Sequence, residues 1–127
     1  MTAPLRVGIA GLGTVGAGTV RVLTAHRDEI ARRSGRAIDI VAVSARDAGK
    51  DRGIDLSGVS WTDDPLTLAA NPDVDAVVEL IGGSEGVAKT LCETALTNGK
   101  HVITANKALI AHHGQALAVA AEEAGVA

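Results

Sequence analysis

The sequence predicts an α/β domain in which a doubly wound parallel sheet carries helices on both faces. Short aliphatic runs alternate with segments of helical period along the 127 residues, in the order β-α-β-α-β-α-β-α. Apolar residues make up 46% of the chain, yet Phe and Tyr are absent and Trp61 is the one aromatic residue. The core must therefore consist of aliphatic side chains, which suits parallel strands that helices bury on both faces.

Each predicted element is bounded by a change of pattern. Strands are placed at short runs rich in β-branched residues, and helices where apolar residues recur every three or four positions. Helix ends follow local signals, such as Asp64-Pro65 for a start and Asn98-Gly99 for a stop. In chain order we expect a strand at Leu5–Ala10, a helix over 13–33, a strand over 38–43, a surface loop over 45–60, a short helix over 65–70, a strand over 76–81, a helix over 85–97, a strand at His101–Thr104 and a helix over 108–124, with its continuity across 112–114 left open.

A glycine-rich turn follows the first strand. Gly11, Gly13 and Gly16 have the spacing G-x-G-x-x-G, with Thr14 and Val15 between the last two. The first glycine permits a tight turn, the second lets the backbone approach a pyrophosphate, and the third lets the helix pack on the strand. The helix N-terminus adds a partial positive charge where the phosphates would lie. The turn predicts a Rossmann-type domain that binds a dinucleotide, and the alternative is a glycine-rich turn without a ligand.

The tip of the second strand bears on the choice of cofactor. In such folds an acidic residue at this point binds the adenosine ribose, whereas a nearby Arg accommodates a 2′-phosphate. Here the sequence runs Ser44-Ala45-Arg46-Asp47, and the planar guanidinium of Arg46 suits a phosphate. We expect NADP, or both NADP and NAD, rather than NAD alone. Asp47 keeps the NAD alternative open, because a shift of one residue would exchange the two roles, and Arg46 could also be a solvated surface residue.

Two further segments, E-L-I-G-G-S and T-A-N-K, follow the third and fourth predicted strands. Open α/β sheets bind their ligands at the carboxyl ends of strands, so both segments are candidates for the site. Paired glycines would let the backbone pass close to a flat ring or a ribose, and the lysine would place a cation at the mouth of the cleft. The candidate residues of these segments are Ile81, Gly82, Gly83, Ser84, Thr104 and Lys107.

Three motifs carry a resemblance to a known family. They are G-L-G-T-V-G, V-V-E-L-I-G-G and G-K-H-V-I-T-A-N-K-A-L-I-A, in this order along the chain. With them the whole chain resembles the NAD(P)-binding domain of the homoserine dehydrogenases, and T-A-N-K is the most discriminating piece. The resemblance implies interconversion of aspartate 4-semialdehyde and homoserine, a step toward threonine, methionine and isoleucine. It also implies that residues 1–127 are a truncated chain whose substrate domain would follow Ala127, and that this fragment alone binds nucleotide without turnover.

The resemblance implies roles for particular residues. Thr14 and Val15 would lie on the cofactor pyrophosphate, Arg46 near the adenosine ribose or its phosphate, and residues 81–84 beside the nicotinamide. Lys107 matches a family lysine that takes part in substrate binding and proton transfer. The chemistry agrees, because hydride delivery to an aldehyde leaves developing alkoxide charge that needs a cation or a proton donor. A solvated lysine at a helix start is the alternative for Lys107.

Bulk properties argue against several other classes of function. A net charge of −3 without a basic cluster argues against nucleic acid as a partner. The apolar stretches are shorter than a membrane span, so a cytoplasmic protein is expected. A small-molecule substrate is the expected partner of the complete enzyme, and a homodimer through the missing domain follows from the resemblance. A non-catalytic module that senses NAD(P) remains an alternative.

Four other residues have reactive side chains, and for three of them, Cys92, His112 and His113, the sequence predicts no catalytic or metal-binding role. Cys92 lies among apolar residues without a basic neighbour, which predicts a buried thiol. This environment argues against an aspartate semialdehyde dehydrogenase, because that enzyme needs a nucleophilic cysteine. His112 and His113 point in different directions on a helix and lack further ligands, so no metal site is expected. Glu79 is either a buried polar anchor near the cleft or a strand-end residue that faces water.

Overall fold

The structure is a computed structural model that describes residues 3–46, 52–82 and 86–127. The strands are β1 (Leu5–Ala10), β2 (Ile38–Ser44), β3 (Ser60–Thr62), β4 (Ala76–Glu79) and β5 (His101–Thr104). The helices are α1 (Thr14–Ala25), α2 (Arg27–Ser34), α3 (Leu66–Ala70), α4 (Val87–Thr97) and α5 (Lys107–Ala124). The strands pair in parallel in the order β3-β2-β1-β4-β5. The direction of winding therefore reverses at β1, where open α/β sheets have their ligand crevice.

Helices cover both faces of the sheet, as predicted. Successive residues of a strand point to opposite faces. On one face, Val7 and Ile9 of β1 belong to a buried cluster with Val20 of α1. On the other face, Ala10 of β1 belongs to a cluster with Leu91 of α4 and with residues of α3. The sheet is thus the middle layer of three, and its aliphatic strands are buried on both sides.

The last helix, α5, packs mainly on α4. Cys92 and Leu96 of α4 form a third buried cluster with Leu109 and Leu117 of α5. This contact fixes the start of α5 at the carboxyl end of β5. The helix runs through positions 112–114 without a break, so its continuity, which the sequence left open, is decided.

The predicted helix over 13–33 is wrong in one respect, because it is two helices. At His26 the backbone leaves the helical region (φ −111°, ψ 21°), and α2 begins at the next residue. Leu23 and Ile30 are both partly buried, so the apolar spacing continues through the break and conceals it. Arg27 at the start of α2 donates a hydrogen bond to the carboxylate of Asp39 on β2 at 2.7 Å, which links α2 to the sheet.

The predicted loop over 45–60 is wrong at its end. Ser60 begins a strand of three residues, β3, in which Trp61 pairs with Val43 of β2. A strand this short at the edge of a sheet leaves little trace of period two in the sequence. Within the same segment, residues 47–51 lie outside the described residues.

The predicted strand over 76–81 ends two residues early, at Glu79. Its side chain accepts hydrogen bonds from the backbone of Ile81 and Gly82, which turns those residues away from the ladder. The helix predicted over 85–97 is described from Val87, and residue 85 lies outside the described part of the chain.

Candidate cofactor site

Three segments predicted from the sequence meet at the carboxyl edge of the sheet. They are the turn between β1 and α1, the loop after β4 and the loop between β5 and α5, and together they enclose a cavity of about 180 Å³. Its lining residues are Val15, Glu79, Leu80, Ile81, Gly82, Ala105 and Asn106. A separate cavity of about 280 Å³ lies between β3 and α3 and holds none of the predicted site residues. The smaller cavity is therefore the candidate site, because three of the predicted residues, Val15, Ile81 and Gly82, line it.

The three glycines of the turn have different surroundings. Gly11 has a φ of +98°, and a Cβ there would lie 2.7 Å from the carbonyl oxygen of Leu80. A Cβ at Gly16 would collide with the carbonyl oxygen of Gly11, so α1 can pack on β1 only without a side chain at this position. Among the described residues, a Cβ at Gly13 would meet nothing within 4 Å. Packing within the protein thus explains Gly11 and Gly16, whereas Gly13 leaves open space at the surface of the turn.

The N-terminus of α1 borders this open space. Gly13 is the N-cap residue and supplies no side-chain hydrogen bond, and the first turn of this fully described helix contains no acidic residue. The first N–H groups of a helix have no partner inside it and carry a partial positive charge. Thr14 and Val15 are exposed beside them. A diphosphate fits these features, because it needs close backbone approach and N–H donors.

Arg46 lies at the same edge of the sheet. It is exposed and follows Ser44, the last residue of β2, by two positions. The carbonyl oxygen of Ser44 accepts a hydrogen bond from Gly11 N–H at 2.9 Å, which ties the end of β2 to the glycine turn. Asp47, the residue that kept the NAD alternative open, lies outside the described residues.

Glu79 is completely buried at the end of β4. Its Oε2 accepts hydrogen bonds from the N–H groups of Ile81 (2.7 Å) and Gly82 (3.0 Å). Its Oε1 accepts a hydrogen bond from the hydroxyl of Thr104 on β5 (2.6 Å). Of the two interpretations of Glu79 left open above, the buried polar anchor is therefore the one that the structure shows.

The loop after β4 presents backbone to the cavity. Ile81 is 41% exposed there, and Gly82 has a φ of +93°, a backbone conformation that favours glycine. Gly83 and Ser84, the other two predicted residues of this loop, lie outside the described residues.

The loop between β5 and α5 continues the hydrogen bonds of Glu79. The hydroxyl of Thr104 accepts from Asn106 N–H (3.0 Å), and Oδ1 of Asn106 accepts from Leu109 N–H (3.0 Å), which caps α5. Lys107 is the first residue of α5 and is exposed. It lines a cavity of about 480 Å³ that adjoins the smaller one at Ala105 and Asn106. The cation is thus next to the site, while the Thr104 hydroxyl is engaged within the chain.

Other reactive groups lie apart from this edge. Cys92 is buried between α4 and α5, and burial, together with the nearby charges of Glu79 and Glu93, raises the pKa of its thiol to about 12. A thiol that stays protonated is a poor nucleophile. In the described part of the chain, no group of three or more His, Cys, Asp or Glu residues could hold a metal ion. No helix among these residues is long and apolar enough to cross a membrane.

Comparison with known families gives a match over almost the whole chain. Residues 11–127 match the model of the NAD-binding domain of homoserine dehydrogenase. The chain belongs to the homoserine dehydrogenase family. Within that family it corresponds to the domain that binds the nicotinamide cofactor, NAD(P), as the glycine turn predicts.

Individual homoserine dehydrogenases agree with this assignment. The chain is 49% identical to the enzyme of Pseudomonas aeruginosa and 40% identical to that of Bacillus subtilis, over 97% and 95% of its own length. A crystal structure of the Thiobacillus denitrificans homoserine dehydrogenase superposes with a TM-score of 0.87 at 45% identity, over 97% of this chain and 28% of that one. A Staphylococcus aureus homoserine dehydrogenase gives a TM-score of 0.88 at 38% identity, over 100% of this chain and 32% of that one. The chain spans 28% of the length of both sequence relatives.

Sequence reasoning missed one polar residue of this homoserine dehydrogenase domain. Asn106 is buried, lines the cavity and caps the helix that carries Lys107. An Asn directly before an apolar helical segment is an N-cap signal, so the residue could have been found from the sequence.

Proposed function

We propose that the full-length protein is an NAD(P)-dependent homoserine dehydrogenase that interconverts L-aspartate 4-semialdehyde and L-homoserine. In this proposal residues 1–127 are its cofactor domain. The observation that carries it is the meeting of the glycine turn, the β4 loop and the β5–α5 loop around one cavity, in a chain of this family. The cavity lies where the winding of the sheet reverses, which is the place where such sheets bind dinucleotides.

The glycine turn would hold the diphosphate of the cofactor. Gly11 and Gly16 set the path of the backbone, Gly13 leaves room, and the N–H groups of Thr14 and Val15 would donate to phosphate oxygens. Ile81 and Gly82, with Gly83, Ser84 and Thr104, would form the nicotinamide end. The bound cofactor supplies the hydride chemistry, and the protein supplies geometry and charge.

Arg46 would select NADP over NAD. It is exposed at the tip of β2, next to the glycine turn, where the adenosine ribose of the cofactor would lie. Titration calorimetry of NADP and NAD into the wild type and Arg46→Ala tests this role. We expect the substitution to raise the Kd of NADP by about tenfold, which is the scale of one charged hydrogen-bonded contact. The Kd of NAD should stay nearly unchanged. Equal affinities in all four titrations would remove Arg46 from the site.

Lys107 would act on the substrate oxygen. Lys107 is the first residue of α5 and lines the cavity that adjoins the proposed nicotinamide end, which supports this role. There it could stabilise the alkoxide that develops as an aldehyde is reduced, and donate a proton to it. The other wall of this cleft would come from a substrate domain, so residues 1–127 alone are expected to bind nucleotide without turnover.

We also propose a homodimer formed through that domain and a cytoplasmic location, with which the free, buried thiol of Cys92 is compatible.

Substitution of Lys107 in the full-length protein tests the proposed activity. Lys107→Ala should lower kcat/KM for homoserine oxidation by about 10²-fold to 10⁴-fold, because the group that exchanges a proton with the substrate oxygen and supplies a charge beside it is lost. Lys107→Arg keeps the charge, but a guanidinium is not deprotonated in proteins, so it should restore only a small part of the activity. Lys89→Ala, on α4, is the matched control and should behave as the wild type. Activity of Lys107→Ala within about twofold of the wild type would contradict the assigned role.

A further inference from the structure

We propose that Glu79 is a positioning residue that holds the nicotinamide-binding end of the site in shape by joining the β4 loop to the β5–α5 loop. The inference rests on the proposed function, since it takes the cavity between these loops as the nicotinamide end. It concerns a buried acidic group to which the proposed chemistry assigns no step.

The contacts of Glu79 join two segments that are distant in sequence. One carboxylate oxygen fixes the N–H groups of Ile81 and Gly82, and the other accepts the hydroxyl of Thr104, 25 residues away in sequence. Thr104 in turn accepts from Asn106 N–H, and Asn106 caps α5. A continuous series of hydrogen bonds therefore runs from the β4 loop to the helix that begins with Lys107.

The cost of burying Glu79 argues for a role beyond local structure. The side chain is completely buried, and in the described part of the chain none of the ion pairs involves it. Burial of an acidic group away from water is strongly unfavourable unless hydrogen bonds compensate for the lost hydration. Here, among the described residues, its hydrogen-bond donors are Ile81 and Gly82 in the β4 loop and Thr104 at the end of β5, all beside the cavity. Glu79 therefore makes the relative position of those loops a fixed feature of the folded state.

In the described part of the chain, the hydrogen bonds of Glu79 involve no residue of the β1–α1 turn, although Val15 of that turn lines the same cavity. The donors to Glu79 lie in the β4 loop and on β5, whereas the open space at Gly13 lies on the β1–α1 turn. A cofactor fragment without a nicotinamide ring would contact the turn and Arg46 only. Loss of the Glu79 contacts should therefore weaken binding of the whole cofactor without changing the binding of the fragment.

Titration calorimetry on the full-length protein tests this prediction with two ligands. NADP reports on the whole site, and adenosine 2′,5′-bisphosphate reports on the adenosine and phosphate end without the nicotinamide end. In Glu79→Gln and Thr104→Val we expect the Kd of NADP to rise by about tenfold, as for the loss of one buried hydrogen bond to a charged group. The Kd of the fragment should stay within about twofold of the wild-type value. Thr97→Val, which removes a hydroxyl on α4 away from this edge, is the matched control and should change neither Kd.

The two ligands distinguish positioning from a general structural role. An unchanged Kd for NADP in Thr104→Val, or equal weakening of both ligands, would overturn the proposal. If Glu79→Gln does not fold, as judged by circular dichroism, Thr104→Val decides by the same comparison. Failure of the wild type to bind either ligand would instead contradict the proposed function, so the two failures are distinguishable.

Discussion

At the scale of single residues, the three glycines of the turn differ in what excludes a side chain. At Gly16 the obstacle is the backbone of Gly11, and at Gly11 it is the backbone of Leu80 together with a positive φ. At Gly13 no atom of the described residues excludes a Cβ. The motif therefore combines two positions that folding requires with one, Gly13, for which we propose that ligand binding requires glycine.

Alanine substitutions separate these two requirements. Gly16→Ala should lower the free energy of unfolding by about 2 kcal/mol, because the backbone must shift to relieve the collision. Gly13→Ala should change that free energy by less than about 1 kcal/mol, as expected for an exposed N-cap residue. The same substitution should raise the Kd of NADP by at least about tenfold, because the methyl group fills the space for the diphosphate. Gly18→Ala, also in open space on α1, is the control and should keep full affinity. Urea denaturation and titration calorimetry give the two quantities, and normal NADP affinity in Gly13→Ala would contradict this interpretation.

The limits of sequence reasoning are visible in Glu79 and Thr104. The glycine spacing and the lysine could be predicted because their chemistry depends on residue type and local order. The environment of Glu79 could not, because an acidic residue at a strand end is buried or exposed according to what the neighbouring strand offers. Its partner Thr104 is on β5, and the pairing of β4 with β5 is a tertiary fact.

At the scale of elements, most strands and helices could be predicted because their apolar period is strong. β1 and β5 have the predicted bounds, whereas β3 was missed because a strand of three residues has too little period to detect. The break at His26 was missed because both helices keep an apolar side. Contacts between separate elements, such as the ion pair of Arg27 with Asp39, cannot be predicted from local sequence patterns.

An ion pair beside the pairing of β1 with β4 makes the stability of the fold depend on pH. It joins Arg6 of β1 to Asp75, the residue before β4. Arg6 of β1 donates to both carboxylate oxygens of Asp75, at 3.2 Å and 3.0 Å, and these hydrogen bonds hold the pKa of Asp75 below its usual range. A carboxyl group with a lowered pKa in the folded state stabilises the fold above its unfolded pKa, and this contribution is lost as the pH falls through the folded value.

Thermal denaturation of Asp75→Asn should show this dependence. The variant should melt below the wild type above about pH 5, and the difference should shrink steadily between about pH 4 and pH 2 as Asp75 in the wild type becomes protonated. The effect should be modest, because the pair is partly exposed and screened by solvent. Glu123→Gln, which forms no ion pair in the described chain, is the control. A difference that stays constant with pH would contradict the role given to Asp75.

At the scale of the whole molecule, the order of the strands creates the site. Because winding reverses at β1, the loops after β1 and β4 diverge to opposite faces of the sheet and leave a crevice between them. The β5–α5 loop closes one end of this crevice, and the packing of α5 on α4 fixes that end. The α/β class was predictable from the alternation of elements, but the convergence of particular side chains required the strand order.

An NMR titration of residues 1–127 with NADP tests the central claim most directly, because it locates the ligand on the chain. If the glycine turn binds the diphosphate, the largest amide shift changes will occur at Gly13, Thr14 and Val15, with further changes at Ile81 and Gly82. Largest changes around the separate cavity between β3 and α3, or no saturable change at all, would contradict the account.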